Sequence, residues 1–227
     1  MDVEKKNIKN IHLSVYPPEG AVRVSAPSRL DLELIRIFTI QKLDWIKKQQ
    51  RKLQGQERET QRDFKDRESH YFWGKRYLMK VKLVEGASHL TLDHKHIILH
   101  LSSSATDAKK KSMLGDFYRN ELRAEAQKMI DHWLEIIGVS LDKFFIQSMK
   151  TKWGSCSPHH RSIRLNLELA KKPPECLEYI IVHELIHLIE PTHNEVFIRL
   201  LDKHMPKWRL HRDELNRLPV KHENWKY

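Results

Sequence analysis

Two histidines and a glutamate in the last quarter of the chain have the spacing of metal ligands and a catalytic base. Residues 181–188 read IVHELIHL, so that His183 and His187 are four residues apart and Glu184 directly follows the first. Residues four apart share one face of an α-helix, so both imidazoles can point at one metal ion. Zinc suits them because it accepts nitrogen ligands in tetrahedral geometry. Glu184, rotated by about 100° from His183, could sit beside a metal-bound water and accept its proton.

The predicted helix around these residues is apolar on nearly every side. Most residues from 179 to 189 are Ile, Leu, Val or Tyr, which indicates a buried helix. Imidazoles and a carboxylate cost free energy in such surroundings unless something satisfies them. A bound metal would do so. The alternative is that hydrogen bonds within the core satisfy all three groups without a metal.

A catalytic zinc site needs a third protein ligand and an open position for water. His193 follows His187 by six residues, and Pro191 between them helps to end the helix, so the chain can turn back toward the metal. This spacing equals that of the metzincin pattern, although Glu190 stands where that pattern has glycine. We therefore favour His193 as the third ligand. The alternatives are Glu190, Glu195 and His204.

Period-two and helical patterns predict the elements that position these residues. Residues 10–26 form a predicted hairpin that turns at Pro17-Pro18-Glu19-Gly20. A single helix is expected from Asp31 through Ile46, followed by a polar tail over 47–63 that ends the helix and connects to the next part. Strands return over about 70–101, with a hairpin turn at residues 93–95.

The C-terminal half is predicted to be mostly helical. A long helix over about 107–137 should open at a Thr106-Asp107 cap and close at Gly138. The remaining predicted elements are strands at about 143–151 and 161–167, a helix from Pro173-Pro174 to about Ile189, and helices at about 194–204 and 207–217. Strands with segregated helices indicate an α+β fold. We predict a strand-rich region with one long helix over 1–104 and a catalytic domain over 105–227, whose active-site helix packs near a small antiparallel sheet.

Several linked stretches, taken in order, resemble the YgjP-like metallopeptidase family, which is distantly similar to SprT-like and other zincin proteases. They are residues 152–157 (KWGSCS), 163–166 (IRLN), Pro174, and 179–193 with Phe197. The resemblance implies a zincin-like catalytic part in which His183, His187 and His193 bind zinc and Glu184 is catalytic. Lys152 replaces a frequent Arg, and the hairpin tip at 158–161 lacks the usual Gly.

The Trp153-Gly154-Ser155-Cys156 segment has two interpretations. In the first it is a tight turn in which Gly154 supplies backbone freedom and the Trp packs on the core. In the second, the adjoining strand lies beside the metal cleft and pairs with an extended substrate. We expect Cys156 to be a small buried hydrophobe rather than a nucleophile.

The formal net charge of +11 favours acidic partners without identifying them. The segment from Lys42 to Lys82 holds thirteen Lys or Arg against six Asp or Glu, interspersed with aromatic residues. Such a mixture can bind nucleic acid, although a solvated strand face explains it more simply. Histidines at 89, 94, 96 and 100 are likewise expected to be solvated strand residues.

Composition narrows the protein class. The start of the chain lacks the apolar stretch of a signal peptide, and the apolar run at 179–189 is too short to span a membrane. Cys156 and Cys176 do not form a disulfide framework. These features predict a reduced, cytoplasmic protein.

Three hypotheses follow. The first is a zinc peptidase acting on proteins or peptides, with Zn2+ as its cofactor. The second is a nucleic-acid-associated protein whose metal site is structural or which cleaves DNA-bound proteins. The third is a zinc hydrolase acting on an amide other than a peptide.

Overall fold

The computed structural model of the protein describes residues 2–16, 20–54, 64–103, 106–149 and 152–218. The chain divides into two compact units, one of residues 1–60 with 219–227 and the other of residues 61–218. The predicted domain boundary at 104–105 falls outside the described residues, so that division stays a prediction. Within the described ranges, no helix has the length and apolar character needed to cross a bilayer.

The first unit contains a three-stranded sheet. Its strands are β1 (Asp2–Lys6), β2 (His12–Tyr16) and β3 (Ala21–Pro27), in the order β1-β3-β2. The antiparallel pairing of β2 with β3 confirms the predicted hairpin, whose turn at residues 17–19 lies outside the described residues. β1 pairs in parallel with β3, an element that the sequence analysis missed.

The prediction of one helix from Asp31 through Ile46 is wrong. The structure has two helices, α1 (Leu32–Gln41) and α2 (Leu43–Gln54), separated at Lys42. The hydroxyl of Thr39 donates to the carbonyl of Ile35 at 2.7 Å, a bond that tends to bend a helix. The backbone N–H of Lys42 then bonds to the carbonyl of Thr39, three residues back, and tightens the last turn. The described part of the polar tail, up to Gln54, belongs to α2.

The second unit begins with a four-stranded sheet. Its strands are β4 (Ser69–Phe72), β5 (Lys75–Leu83), β6 (His89–Leu92) and β7 (His96–Leu101), in the order β4-β5-β7-β6. β5 and β7 run parallel, and the two outer pairs are antiparallel, which confirms the hairpin predicted around residues 93–95. The buried side of this sheet contributes Met79, Ile97 and Leu99 to the core.

The long helix α3 (Asp107–Ile137) confirms its predicted bounds. Its N-terminus is capped by the hydroxyl of Thr106, which accepts a hydrogen bond from the backbone N–H of Lys109. Its C-terminus ends at Gly138, whose φ of 76° is left-handed. A stripe of residues spaced four apart faces the core, namely Leu114, Tyr118, Leu122, Ala126 and Ile130.

A third sheet lies beside the active-site helix. It consists of β8 (Lys143–Gln147), β9 (Gly154–Ser157) and β10 (Ser162–Asn166), in the order β8-β10-β9. The predicted antiparallel sheet is therefore a mixed one, because β10 is antiparallel to β9 but parallel to β8. The hairpin of β9 and β10 inserts β10 between the other two strands and leaves β9 at an edge.

The rest of the second unit is helical. A 3-10 helix (Leu167–Lys171) leads into α4 (Pro174–Ile186), which is followed by α5 (Glu195–His204) and α6 (Trp208–Arg217). The β4–β5 turn holds the entry to α4, because Trp73 N–H donates to Ala170 O at 2.9 Å and Gly74 N–H donates to Lys171 O at 3.2 Å. A side chain at position 74 would collide with Pro173, so glycine permits this approach.

Two glycines, one inside α3 and one at its C-terminal cap, should respond oppositely to substitution by alanine. Gly138 has a left-handed φ, so Gly138→Ala should lower the free energy of unfolding by about 1–2 kcal/mol. Gly115 lies inside the helix with nothing within 4 Å of an added Cβ, so Gly115→Ala should raise it by about 0.5–1 kcal/mol. Urea unfolding of both variants tests this. Changes in unfolding free energy of the same sign for the two variants would contradict the observed position of the helix end.

Candidate metal centre

The three histidines singled out by spacing meet at one point. His183 lies on the last turn of α4, His187 caps that helix, and His193 returns from the following turn. The Nε2 atom of His193 is 3.0 Å from Nε2 of His183 and 3.1 Å from Nε2 of His187. Within the part of the chain that the structure describes, these histidines form the one group of three potential metal ligands.

The turn that returns His193 is held by its own hydrogen bonds. The backbone N–H of Glu190 donates to Ile186 O at 2.9 Å. The Glu190 carboxylate then accepts from the backbone N–H and the hydroxyl of Thr192, at 3.0 and 2.8 Å, and these bonds lower its pKa. Glu190 is not among the residues with positive φ, so this turn does not need the glycine of the metzincin pattern.

Hydrogen bonding and burial prepare the imidazoles to act as ligands. Nδ1 of His187 lies 3.0 Å from the carbonyl of Glu190, so it carries the proton and leaves the Nε2 lone pair directed at His193. Burial lowers the pKa of His183 to about 3 and also lowers that of His187. Both rings are therefore neutral at physiological pH, as metal binding requires.

Phe197 packs against all three imidazoles. Its ring stacks on His187 with centroids 4.6 Å apart and meets His183 and His193 edge-on at 4.9 and 4.7 Å. Phe197 is 1 % exposed and lies in the first turn of α5, whose N-cap Asn194 accepts from its backbone N–H at 3.1 Å. The role of Phe197 was not predicted from sequence. Its place four residues after His193 was the available signal.

Glu184 lies beside the histidines in an almost dry position. It is 5 % exposed, and burial raises the pKa of its carboxyl to about 8 against a smaller opposing effect of the Lys152 charge. A Cβ on Gly154 would lie 2.5 Å from Oε1 of Glu184. Gly154 has no positive φ, so its function is to admit this carboxylate rather than to supply the backbone freedom of the first interpretation.

Asn166 anchors the chain around Glu184, which the sequence analysis did not anticipate. Its side-chain amide donates to Met149 O at 2.9 Å and to Lys152 O at 2.7 Å. Its Oδ1 accepts from the backbone N–H of Glu168 at 3.2 Å and so caps the 3-10 helix. One buried amide therefore fixes both flanks of residues 150–151, next to the strand that contacts Glu184.

The arrangement fits a divalent metal ion. Two nitrogens bound at about 2.0–2.1 Å to one tetrahedral ion are about 3.3 Å apart, close to the two Nε2 distances observed. Nδ1 of His183 is buried and has no hydrogen-bond partner among the described residues. Three imidazole nitrogens gathered at hydrogen-bond distance are a donor set that a divalent metal ion binds. The donor chemistry of the cluster therefore matches a metal.

The other candidates lie apart from this cluster. Glu195 and His204 are not among the three grouped ligands. Burial, assisted by the charge of Glu184, raises the pKa of Cys156 to about 11, which keeps it a thiol. On the second sheet, His89 and His100 stack on each other at 4.3 Å, and His96 pairs with Asp93.

Comparison with known proteins finds a matching metallopeptidase family model. The family model described as "YgjP-like, metallopeptidase domain" matches residues 9–218. Among solved structures, the chain is similar to the metallopeptidase zymogen of Pyrococcus abyssi abylysin, at 25% identity over 40% of this chain and 90% of that chain, with a TM-score of 0.38. The chain is also similar to the metallopeptidase zymogen of Methanocaldococcus jannaschii jannalysin, at 28% identity over 40% of this chain and 90% of that chain, with a TM-score of 0.35. No curated protein matches significantly.

The raised pKa of Glu184 predicts a pH-dependent stability in chelator-treated protein. The pKa is about 8 in the folded state against an ordinary 4.5, so the folded state retains a proton that the unfolded chain releases. The stabilisation of the folded state that results from the raised pKa is fully present below about pH 4.5 and is lost as the pH rises through 8. The free energy of unfolding of Glu184→Gln, measured relative to that of wild type, should therefore rise by roughly 2–4 kcal/mol between pH 5 and pH 8. Urea unfolding of both proteins at pH 5 and pH 8 provides the measurement. A difference in unfolding free energy between variant and wild type that is the same at both pH values would contradict the prediction.

Proposed function

The chain belongs to the YgjP-like metallopeptidase family, and we propose that it hydrolyses peptide bonds with a zinc ion held by His183, His187 and His193 and with Glu184 as the general base. The observation that carries this proposal is the meeting of three imidazoles beside one buried carboxyl group. We also propose that residues 105–227 form a zincin-like catalytic domain.

The residues have separate roles in the proposed reaction. A zinc ion bound by the three imidazoles would supply Lewis acidity toward water and the substrate carbonyl. The positive charge of a zinc ion beside Glu184 would favour the ionised form of its carboxyl group. The carboxylate then takes a proton from the attacking water and delivers it to the leaving nitrogen. Its burial keeps bulk water from competing for that proton, and Gly154 leaves the carboxylate room to face the site. Phe197 limits ring rotation of the three ligands.

The edge strand β9 suggests how a peptide is held. β9 pairs with β10 on one side, and no strand of the described chain pairs with its other side. Its first residue, Gly154, lies against Glu184. An extended peptide added along this edge by main-chain hydrogen bonds would pass beside the base. This supports the second interpretation of the Trp153-Gly154-Ser155-Cys156 segment.

The ligand assignment predicts the response of metal content to substitution. We expect wild-type protein to bind one zinc ion per chain, and His193→Ala to weaken zinc affinity by about 100-fold or more because a tetrahedral site loses one of three protein ligands. His204→Ala is the matched control and should bind as wild type. Competition with a chromophoric chelator measures both. An unchanged affinity for His193→Ala, or a loss for His204→Ala, would refute the assignment.

The assignment of Glu184 predicts a loss of turnover without a loss of metal. Glu184→Gln should lower peptide cleavage by about 10²–10⁴-fold and keep one zinc ion per chain. Glu195→Gln, which neutralises an exposed carboxylate outside the cluster, should retain full activity. Cleavage of a denatured protein or a peptide mixture, followed by mass spectrometry, provides the measurement. If Glu184→Gln cleaves peptides at the wild-type rate, Glu184 is not the base.

A further inference from the structure

The four-stranded sheet of the second unit is positively charged. β5 contributes Lys75, Arg76, Lys80 and Lys82. No Asp or Glu occurs in β4, β5, β6 or β7, all of whose residues are described. These cations account for part of the excess positive charge between Lys42 and Lys82. The metal centre does not use them.

The strand pleat places three of these cations on the outward side. Met79 is fully buried and pairs with the fully buried Ile97 of β7, which fixes the core side of β5. Successive side chains of a strand point to opposite faces. Arg76, Lys80 and Lys82 therefore project away from the core, and all three are exposed.

Aromatic rings flank this row of cations on the same side. Tyr71 of β4 pairs with Arg76 at one end, and Lys82 pairs with His100 of β7, which pairs with His89 of β6. The rings of His89 and His100 are stacked, with centroids 4.3 Å apart and planes within 3°. We call these residues the basic face, defined as Tyr71, Arg76, Lys80, Lys82, His89 and His100.

Three acidic residues that flank the strands are engaged elsewhere, and a fourth, Glu85, is exposed just beyond the end of β5. Glu68 pairs at 3.0 Å with His70, which is 3 % exposed on the core side of β4. Asp66 accepts a hydrogen bond from the backbone N–H of Val81 along the edge of β5. Asp93 accepts bonds from the backbone N–H groups of its own turn and pairs with His96, so we exclude His96 from the basic face.

We propose that the basic face binds single-stranded nucleic acid. Arg76, Lys80 and Lys82 lie on the outward face of one strand, with the exposed Leu78 between the first two. Alternate residues of a strand are about 6.6–6.8 Å apart, so the three cations form an extended row that a sugar-phosphate backbone can follow. Rings at both ends of the row offer surfaces on which unpaired bases stack. Cations that track the backbone together with stacking rings characterise single-strand binding. An acidic polypeptide would use the cations but not the rings. This inference goes beyond the proposed peptidase activity and does not require the metal.

Fluorescence anisotropy of the full chain with a labelled 20-nucleotide single strand tests the proposal. With three phosphate contacts, log K against log salt should have a slope of about −2, or roughly fourfold weaker binding per doubling of salt. Lys80→Gln with Lys82→Gln should weaken binding about tenfold at 50 mM salt and reduce the slope to about −0.7. Lys203→Gln with Lys207→Gln removes the same charge from exposed positions on other elements and should bind as wild type.

A second substitution separates stacking from charge. Tyr71→Leu should weaken binding about tenfold without altering the salt slope, because stacking of a base is not ionic, and Tyr71→Phe should retain affinity. Glu184→Gln should bind as wild type, which distinguishes this proposal from the peptidase assignment. The proposal is overturned if the single strand does not bind, if its binding does not depend on salt, or if the two lysine double variants lose the same affinity. It is also overturned if the matching duplex binds more tightly than the single strand, or if polyglutamate binds as tightly as the single strand.

Discussion

The burial of polar groups in the apolar helix α4 is the constraint on which the rest of the site depends. His183 and Glu184 are surrounded by fully buried aliphatic residues such as Val182 and Leu185, and burial shifts both pKa values toward the neutral forms. Removing such groups from water costs several kcal/mol unless partners satisfy them. In the proposed function, a cation shared by the three imidazoles would offset this cost, and the neighbouring carboxylate would act as the base.

The surrounding fold makes room for these groups and limits their movement. Gly154 leaves space for the Glu184 carboxylate at the edge of a sheet. Asn166 fixes the backbone on both sides of residues 150–151. Phe197 confines the three rings from one side, and its helix starts directly after the turn that Glu190 stabilises. The proposed third ligand, His193, and the aromatic ring of Phe197 therefore belong to one short segment, so that forming the turn also brings His193 to the other two imidazoles.

The sequence predicted the local elements well because local physics determines them. Thr106 and Gly138 bound α3 as their capping chemistry requires, and the i, i+4 spacing of the histidines placed two rings on one helical face. The errors involve specific hydrogen bonds and packing partners, some of them distant in sequence. The break at Lys42, the parallel pairing of β8 with β10 and the true function of Gly154 depend on partners that periodicity does not reveal. The concentration of cations on one sheet face likewise became visible only through the strand register.

The central claim is that three imidazoles hold one zinc ion next to Glu184. X-ray absorption spectroscopy of the zinc-loaded full chain tests it most directly, because the method reports the type and distance of the ligands. The account predicts three imidazole nitrogens at about 2.0–2.1 Å, with the remaining coordination by oxygen. A sulfur at about 2.3 Å, which would implicate Cys156 or Cys176, or a shell with two or fewer imidazoles would contradict it.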